Sequence, residues 1–507
     1  MLKNTFQHIK GISANREHTL WESGILSWSD LKTRAKADKK LAKLNIHESF
    51  EKLDENDLSF FLETLPKKEW YRLALQFPEN TLFLKIETTG KSKVYDDITV
   101  IGWVYKNRYS KIIDGENISS LSSDLNDAKV LITFDGSASD LPFLKSKLPE
   151  LNFPQCHIDL RHFAKRFNLT GGQLKIEQET GFFRDEEYKH IDDKQASVLW
   201  YKYAWGDTSS AAKLVHYNQL GISGMIHIFK HVLDNFIFPN VPPELKTEYE
   251  YPSFSNYTNL SYKKLKEKYT FEDYSGEKLP KITFSNLQLK KGIKAFGIDL
   301  TGSEDKPSGI CTLKGNKAET MMIGSDENIL SIIDKFKPDI ISIDSPLGLP
   351  DGRVSVFDDD PGREEFGITR ECDREMKSRG VNIYPTLIPS MQSLTKRGIS
   401  LAENLRAKGY TVIESYPGGA QDIIGIPRKG ASEEFLKKGL KAFGIEGSYI
   451  VDSVKHDELD AITSAIVGLF FCSGDYEALG NESEGYVRSP KISKVKKRAR
   501  APAHKSI

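Results

Sequence analysis

The sequence predicts an α/β protein with two domains in tandem behind a small helical region, and three observations carry that prediction. The chain has 507 residues, whereas single domains usually hold about 100–200, so more than one core is expected. Two separate stretches, 80–225 and 293–475, alternate short buried-type apolar runs with helical periods, the succession that builds sheets covered by helices. In the second stretch two strand patterns end in an aspartate, Gly297-Ile298-Asp299 and Ile343-Asp344, and a helix opens with His456-Asp457-Glu458-Leu459-Asp460.

Composition narrows the class without naming a partner. Apolar residues make up 39% and charged residues 28%, as in ordinary folded domains. Lys plus Arg and Asp plus Glu number 71 each, so net charge identifies no polyionic partner and only local clusters can. Cys156, Cys311, Cys372 and Cys472 are far apart, with no C-x-x-C pair. That spacing argues against a zinc ribbon or a disulfide framework and predicts a reducing, cytoplasmic setting. The first residues lack a signal-peptide core, and no apolar run reaches the ~18 residues of a membrane helix.

Residues 1–75 read as charged helices. Gly11-Ile12-Ser13, then Leu20-Trp21, then Gly24-Ile25 resembles a helix-hairpin-helix element, whose hairpin N–H groups would hold a nucleic-acid phosphate. A helical cap packed on the next domain is the equal alternative.

The domain expected over 76–238 starts with strands at 81–90 and 98–105. A third strand at 130–136 leads into a helix, a strand at His157-Ile158-Asp159-Leu160 follows, and a helix at 211–218 breaks at Gly221. Four blocks in order resemble the DEDD group of ribonuclease-H-like 3′–5′ exonucleases. They are Ile86-Glu87-Thr88-Thr89-Gly90, Asp135-Gly136 with Ser139-Asp140-Leu141-Pro142-Phe143-Leu144, His157-Ile158-Asp159-Leu160, and His216-Tyr217-Asn218. The resemblance implies four acids holding two metals. Glu87 and Asp140 stand where that group has acids, but Lys85 and Gly221 stand where it has aspartates. An ammonium in place of a carboxylate adds a positive charge that opposes a dication. The expectation is a catalytically dead exonuclease domain kept for binding a strand or as a scaffold. Asp140 and Asp159 then read as capping or turn acids. Residues 239–292, with Pro239, Pro242, Pro243 and Pro252 and interleaved tyrosines and lysines, read as an ordered linker.

The last domain, 293–478, begins with a strand at 295–300, a meander at 308–313 and 319–323, and a helix at 327–336. A strand at 339–344, a helix at 400–408, a strand at 410–417 and helices at 433–443 and 457–471 follow. A meander followed by alternating helix and strand is the ribonuclease H plan. Gly297-Ile298-Asp299, Ile343-Asp344-Ser345-Pro346, Arg370-Glu371-Cys372-Asp373-Arg374, Ile413-Glu414-Ser415-Tyr416-Pro417 and His456 to Ala461 resemble a group of predicted nucleases of unknown function, related in plan to the Holliday-junction resolvases. The resemblance implies a second ribonuclease-H-like domain. The expected fold class is therefore two ribonuclease-H-like domains in tandem behind the helical region.

The acids define the expected chemistry. Asp457 and Asp460 are three apart and share a helix face. With Asp299 and Asp344 they would repel strongly unless a divalent cation lay between them. Mg2+ or Mn2+ suits all-carboxylate sites, and two such ions about 3.5–4 Å apart hydrolyse phosphodiesters, Asp299 being the natural bridge. Glu414 is a ligand or supporting candidate, and His456 could move a proton or orient a water. Each acid alone has a structural alternative as a turn or N-cap residue. Arg370, Arg374 and Lys377 read as one basic helix face contacting phosphate, or as a salt-bridged surface. Asp358-Asp359-Asp360 reads as a solvated loop. Residues 479–507, with Lys494, Lys496, Lys497, Arg498 and Arg500, read as a basic disordered tail attracted to nucleic acid. The leading functional expectation is a metal-dependent nuclease acting on DNA or RNA. A non-catalytic nucleic-acid scaffold and a hydrolase of small phosphate esters are the alternatives. Oligomeric state is not legible, although the related resolvases are dimers.

Overall fold

A computed structural model describes residues 1–44, 46–246, 263–264, 268, 280–357, 367–428 and 432–492. The chain separates into two compact units, Met1–Thr89 with Asp97–Tyr274, and Gly90–Asp96 with Ser275–Ile507. Most of the expected linker, the Asp358–Asp360 triplet and the basic cluster beyond residue 492 lie outside the described residues. No helix among the described residues is long and apolar enough to cross a membrane.

The first unit opens with helices Ala14–Glu22, Trp28–Arg34, His47–Asp54, Leu58–Thr64 and Tyr71–Gln76. Gly11, at φ +88°, turns the chain into the first helix, which Ser13 caps through the Arg16 N–H. Glu17 is only 1% exposed. It accepts from the Thr5 hydroxyl and the Phe6 N–H, both at 2.6 Å, and from Gln7 and Arg72, both at 2.9 Å. A buried charge persists only when paired in this way.

Five strands follow: β1 (Thr81–Thr88), β2 (Ile98–Tyr105), β3 (Arg108–Ile113), β4 (Val130–Thr133) and β5 (Cys156–Asp159). Their order in the sheet is β3-β2-β1-β4-β5. β1 to β3 form an antiparallel meander, and β4 and β5 continue parallel to β1. Strand β3 was not legible in the sequence. The turn into it is Lys106-Asn107, both at positive φ (48° and 59°), which matches the two-residue hairpin turn that suits strand twist. The helix expected to break at Gly221 instead runs unbroken over Thr208–Val232. A helical glycine costs about 1 kcal/mol, and burial along most of this helix outweighs that cost.

The second unit holds β6 (Lys294–Asp299), β7 (Ser308–Lys314), β8 (Lys317–Ile323), β9 (Ile340–Asp344), β10 (Val412–Ser415), β11 (Tyr476–Asn481) and β12 (Gly485–Pro490). The sheet order is β11-β12-β10-β9-β6-β7-β8. From β8 to β10 this repeats the first sheet: an antiparallel meander whose first strand continues into two parallel strands. Both units therefore have the ribonuclease-H-like plan, in tandem.

Three expectations need correction here. The helix expected at 400–408 begins at Pro389 and runs to Ala407. A helix that the sequence did not announce, Pro417–Ile424, begins at the residue where the strand expected at 410–417 ends. The tail does not begin at 479: β11 and β12 form a hairpin, and β12 pairs with β10. Polar residues alternate with Leu479 and Val487 in that hairpin, so its apolar content is too low to stand out from a tail.

Helix His456–Ser473 lies across the face of this sheet, and glycine permits its approach. A Cβ on Gly297 would sit 1.9 Å from the Ala461 carbonyl oxygen and 2.6 Å from the Ala465 nitrogen. Both obstacles are helix backbone, which cannot rotate away. Gly297→Ala should therefore lower stability by about 1–3 kcal/mol, the usual cost of overpacking. A denaturant midpoint equal to wild type would show that the helix can shift freely.

Candidate functional site

Side chains of a strand alternate between faces. In β6, Ala295 packs in the core under helix His456–Ser473, while Phe296 and Ile298 pack on the other face with Ile329, Ile333 and Leu401. Asp299 therefore emerges on the helix side. In β9, Ile340 belongs to the helix side and Ile341 and Ile343 to the other, so Asp344 also emerges on the helix side. Asp299 and Asp344 are direct register partners at the ends of these two parallel strands. Adjacent strands lie about 4.8 Å apart.

The start of helix His456–Ser473 reaches the same edge. Gly309 is the register partner of Asp299, and its Cβ would meet the Asp457 carbonyl oxygen at 2.2 Å. Asp457 is in the first helical turn, where the helix end favours negative charge. Its Oδ1 lies 2.7 Å from His456 Nε2. Asp460 is 5% exposed. Gln421, itself buried, donates to Asp460 Oδ1 at 2.9 Å and to Thr463 at 3.1 Å. Sequence reasoning missed Gln421 because the helix that carries it was missed.

Three hydroxyls on this face, those of Ser342, Ser415 and Ser464, are buried and lack a hydrogen-bond partner among the described residues. Ser415 is the register partner of Asp344. A buried hydroxyl without a partner costs free energy unless water or a ligand satisfies it. Carboxylates beside such a group form an oxygen donor set of the kind that suits magnesium or manganese. Among the described residues, no group of three or more His, Cys, Asp or Glu side chains is arranged to hold a metal ion.

Glu414 does not join the aspartates. It pairs in register with Ile343 rather than with Asp344, so it leaves the sheet on the opposite face. There the Arg370 guanidinium binds it at 2.6 and 2.8 Å, and it accepts the Leu347 N–H at 2.7 Å. Arg370 is 1% exposed and also bonds Asp373 at 3.1 Å and Thr386 at 3.0 Å. Burial opposes its charge, but Glu414 and Asp373 hold the guanidinium pKa well above its ordinary value. The reading of Arg370 as part of a phosphate-contacting face is thereby corrected: its donors are spent inside the protein. Arg374 and Lys377 are exposed, and Arg374 donates to the Thr369 carbonyl at 2.6 Å.

In the first unit, Lys85, Glu87, Asp140 and Gly221 do come together. Lys85 Nζ lies 3.8 Å from Glu87 Oε1. A Cβ on Gly221 would sit 2.7 Å from both Cδ and Cε of Lys85. The lysine stem thus fills the room that a larger residue at 221 would need. Asn218 donates to Glu87 at 3.1 Å, and Asp140 accepts the Ile86 N–H at 3.3 Å. Asp159 accepts from the N–H groups of Asp135, Ser137 and Arg161, which is the work of a capping acid.

Burial pushes the Asp140 carboxyl up to about 6, although the Lys85 charge pulls it down. Between its ordinary value near 4 and about 6, the folded protein holds a proton that the unfolded chain has released. The contribution of Asp140 to stability therefore falls as pH rises through that window. Asp140→Asn keeps an acceptor for Ile86 and cannot ionise. Relative to wild type it should gain about 2–3 kcal/mol between pH 4 and pH 7. Denaturation midpoints of both proteins at the two pH values test this, and a constant difference would contradict it.

Residues 82–233 match the family model RNase_H_2, of the RNase_H superfamily. The matched segment contains Lys85, Glu87, Asp140 and Gly221, so the chain includes a ribonuclease-H-like domain at that place. No curated protein matches the chain. Among solved structures, the family B DNA polymerase from the hyperthermophilic archaeon Pyrobaculum calidifontis aligns at 12% identity over 82% of this chain, with a TM-score of 0.27. The alignment spans 53% of the polymerase chain. Similarity at that level carries no argument about this protein.

Proposed function

We propose that the protein is a metal-dependent nuclease whose C-terminal unit hydrolyses phosphodiester bonds of DNA or RNA. In this reading the N-terminal ribonuclease-H-like domain is an inactive member of the DEDD exonuclease group that binds or positions a strand. One observation supports the reading above the rest. Asp299 and Asp344 are register partners at adjacent strand ends, on the face that also receives the Asp457 and Asp460 end of a helix. Magnesium or manganese held between the register partners Asp299 and Asp344, with water completing its shell, would supply water activation near neutral pH and neutralise charge on a phosphate oxygen. Gln421 keeps the Asp460 carboxylate aimed by donating to one of its oxygens. The Ser415 hydroxyl beside Asp344 can hold a water at this edge. In the N-terminal domain Lys85 supplies, from within the chain, a positive charge beside Glu87 and Asp140. That charge disfavours a dication at the same place.

The test is cleavage of labelled single- and double-stranded DNA and RNA with manganese, comparing wild type with Asp299→Asn. Cleavage by wild type and not by the variant supports a nuclease. Nucleic-acid binding with no cleavage by either supports a scaffold, and turnover confined to small phosphate esters supports that hydrolase class instead.

A further inference from the structure

We propose that Arg428 is the cationic side chain that contacts the substrate phosphate at the acidic edge of the C-terminal sheet. This inference rests on the nuclease reading above and supplies what Arg370 cannot. A phosphodiester carries one negative charge shared by two oxygens. Beside a group of carboxylates it needs a positive partner from the protein as well as from bound cations.

Helix Pro417–Ile424 connects Arg428 to the aspartates. Gln421, on that helix, bonds Asp460. Gly418 lies three residues earlier, hence on the same helix face. The point its Cβ would occupy is 3.4 Å from Arg428 Nη1 and 3.4 Å from the Tyr416 hydroxyl. Both groups therefore meet over a glycine that leaves the approach open. The other edge of the guanidinium is gripped from beneath. Asp422, four residues after Gly418 and nearly buried, accepts from Arg428 Nε at 2.6 Å and also from Nη2.

A two-point grip fixes the plane of the arginine fork and leaves Nη1 outside the grip, over Gly418. The Arg428 side chain remains 33% exposed, so a ligand can reach it. Tyr416 ties the arrangement to the acids. Burial and the charges of Asp344, Asp422 and Asp460 raise the phenol pKa, while Arg428 lowers it. Tyr416 directly follows Ser415, the register partner of Asp344. Asp422 is the positioning residue and Arg428 the contact.

The experiment uses the full-length protein, labelled DNA and RNA oligonucleotides, and manganese titrated separately. Arg428→Met should raise KM roughly tenfold or more, the loss expected for one charge-assisted contact. It should leave manganese affinity unchanged and reduce the salt dependence of binding by about one ion. Arg428→Lys should recover part of the loss, because it restores charge without the fork. Removing the arginine alone leaves Asp422 buried and unpaired. The double variant Arg428→Met with Asp422→Leu therefore serves as the folded control and should bind nucleic acid as poorly. If the double variant is folded and retains wild-type KM and salt dependence, while Asp299→Asn is inactive, Arg428 is not the contact and the nuclease reading stands. If wild type neither takes up manganese nor cleaves either nucleic acid, both fall together.

Discussion

Asp299→Asn is expected to lower manganese-dependent cleavage on the order of 10³-fold while leaving the protein folded. The substitution is nearly isosteric and removes one charge. Loss of charge stabilisation worth several kcal/mol corresponds to about that factor. Asp344→Asn should behave alike, since it occupies the paired register position. Asp457→Asn should cost less, because its carboxylate sits in the first helical turn beside His456. A second readout separates a metal site from a structural acid. Like charges directly opposite on paired strands repel, so without metal Asp299→Asn should be as stable as wild type or more so. Loss of both activity and metal-free stability would mean that Asp299 holds the fold rather than a cation.

Arg370→Met should have the largest effect on stability and little direct effect on nucleic-acid contact. Removing one partner of a buried, hydrogen-bonded ion pair costs about 3–5 kcal/mol, because the remaining charge is stranded. Arg370 serves Glu414 and Asp373 at once, so the upper part of that range is expected. For a unit of this size the melting temperature should fall roughly 10 °C. Glu414→Gln should also act on stability, in contrast to Asp299→Asn, and the comparison distinguishes the two faces of the sheet by measurement. A folded Arg370→Met protein of wild-type stability with weakened nucleic-acid binding would overturn this assignment.

Much of the architecture was legible because it is local. Apolar runs at β1, β2, β4, β6 and β9 announce strands, and the amphipathic periods announce the main helices. Strand β3, the hairpin of β11 and β12, and helix Pro417–Ile424 were not legible. Their chemistry is mixed or turn-like, and they persist through pairing and packing with distant neighbours. Gly221 misled for a related reason: the room it leaves is filled by Lys85, from a strand far away in sequence.

By itself the sequence determined that two alternating α/β segments exist and that β6 and β9 end in aspartates. Only the tertiary structure decided which side chains share a face. Glu414 and Ser415 are adjacent in sequence, yet register with β9 sends the first to Arg370 and sets the second beside Asp344. Parity along a strand is a local property, but which parity faces the helix depends on pairing between strands far apart in the chain. For the same reason Arg370, the arginine of the more conspicuous motif, is buried against Glu414, whereas Arg428, held by Asp422, stays partly exposed.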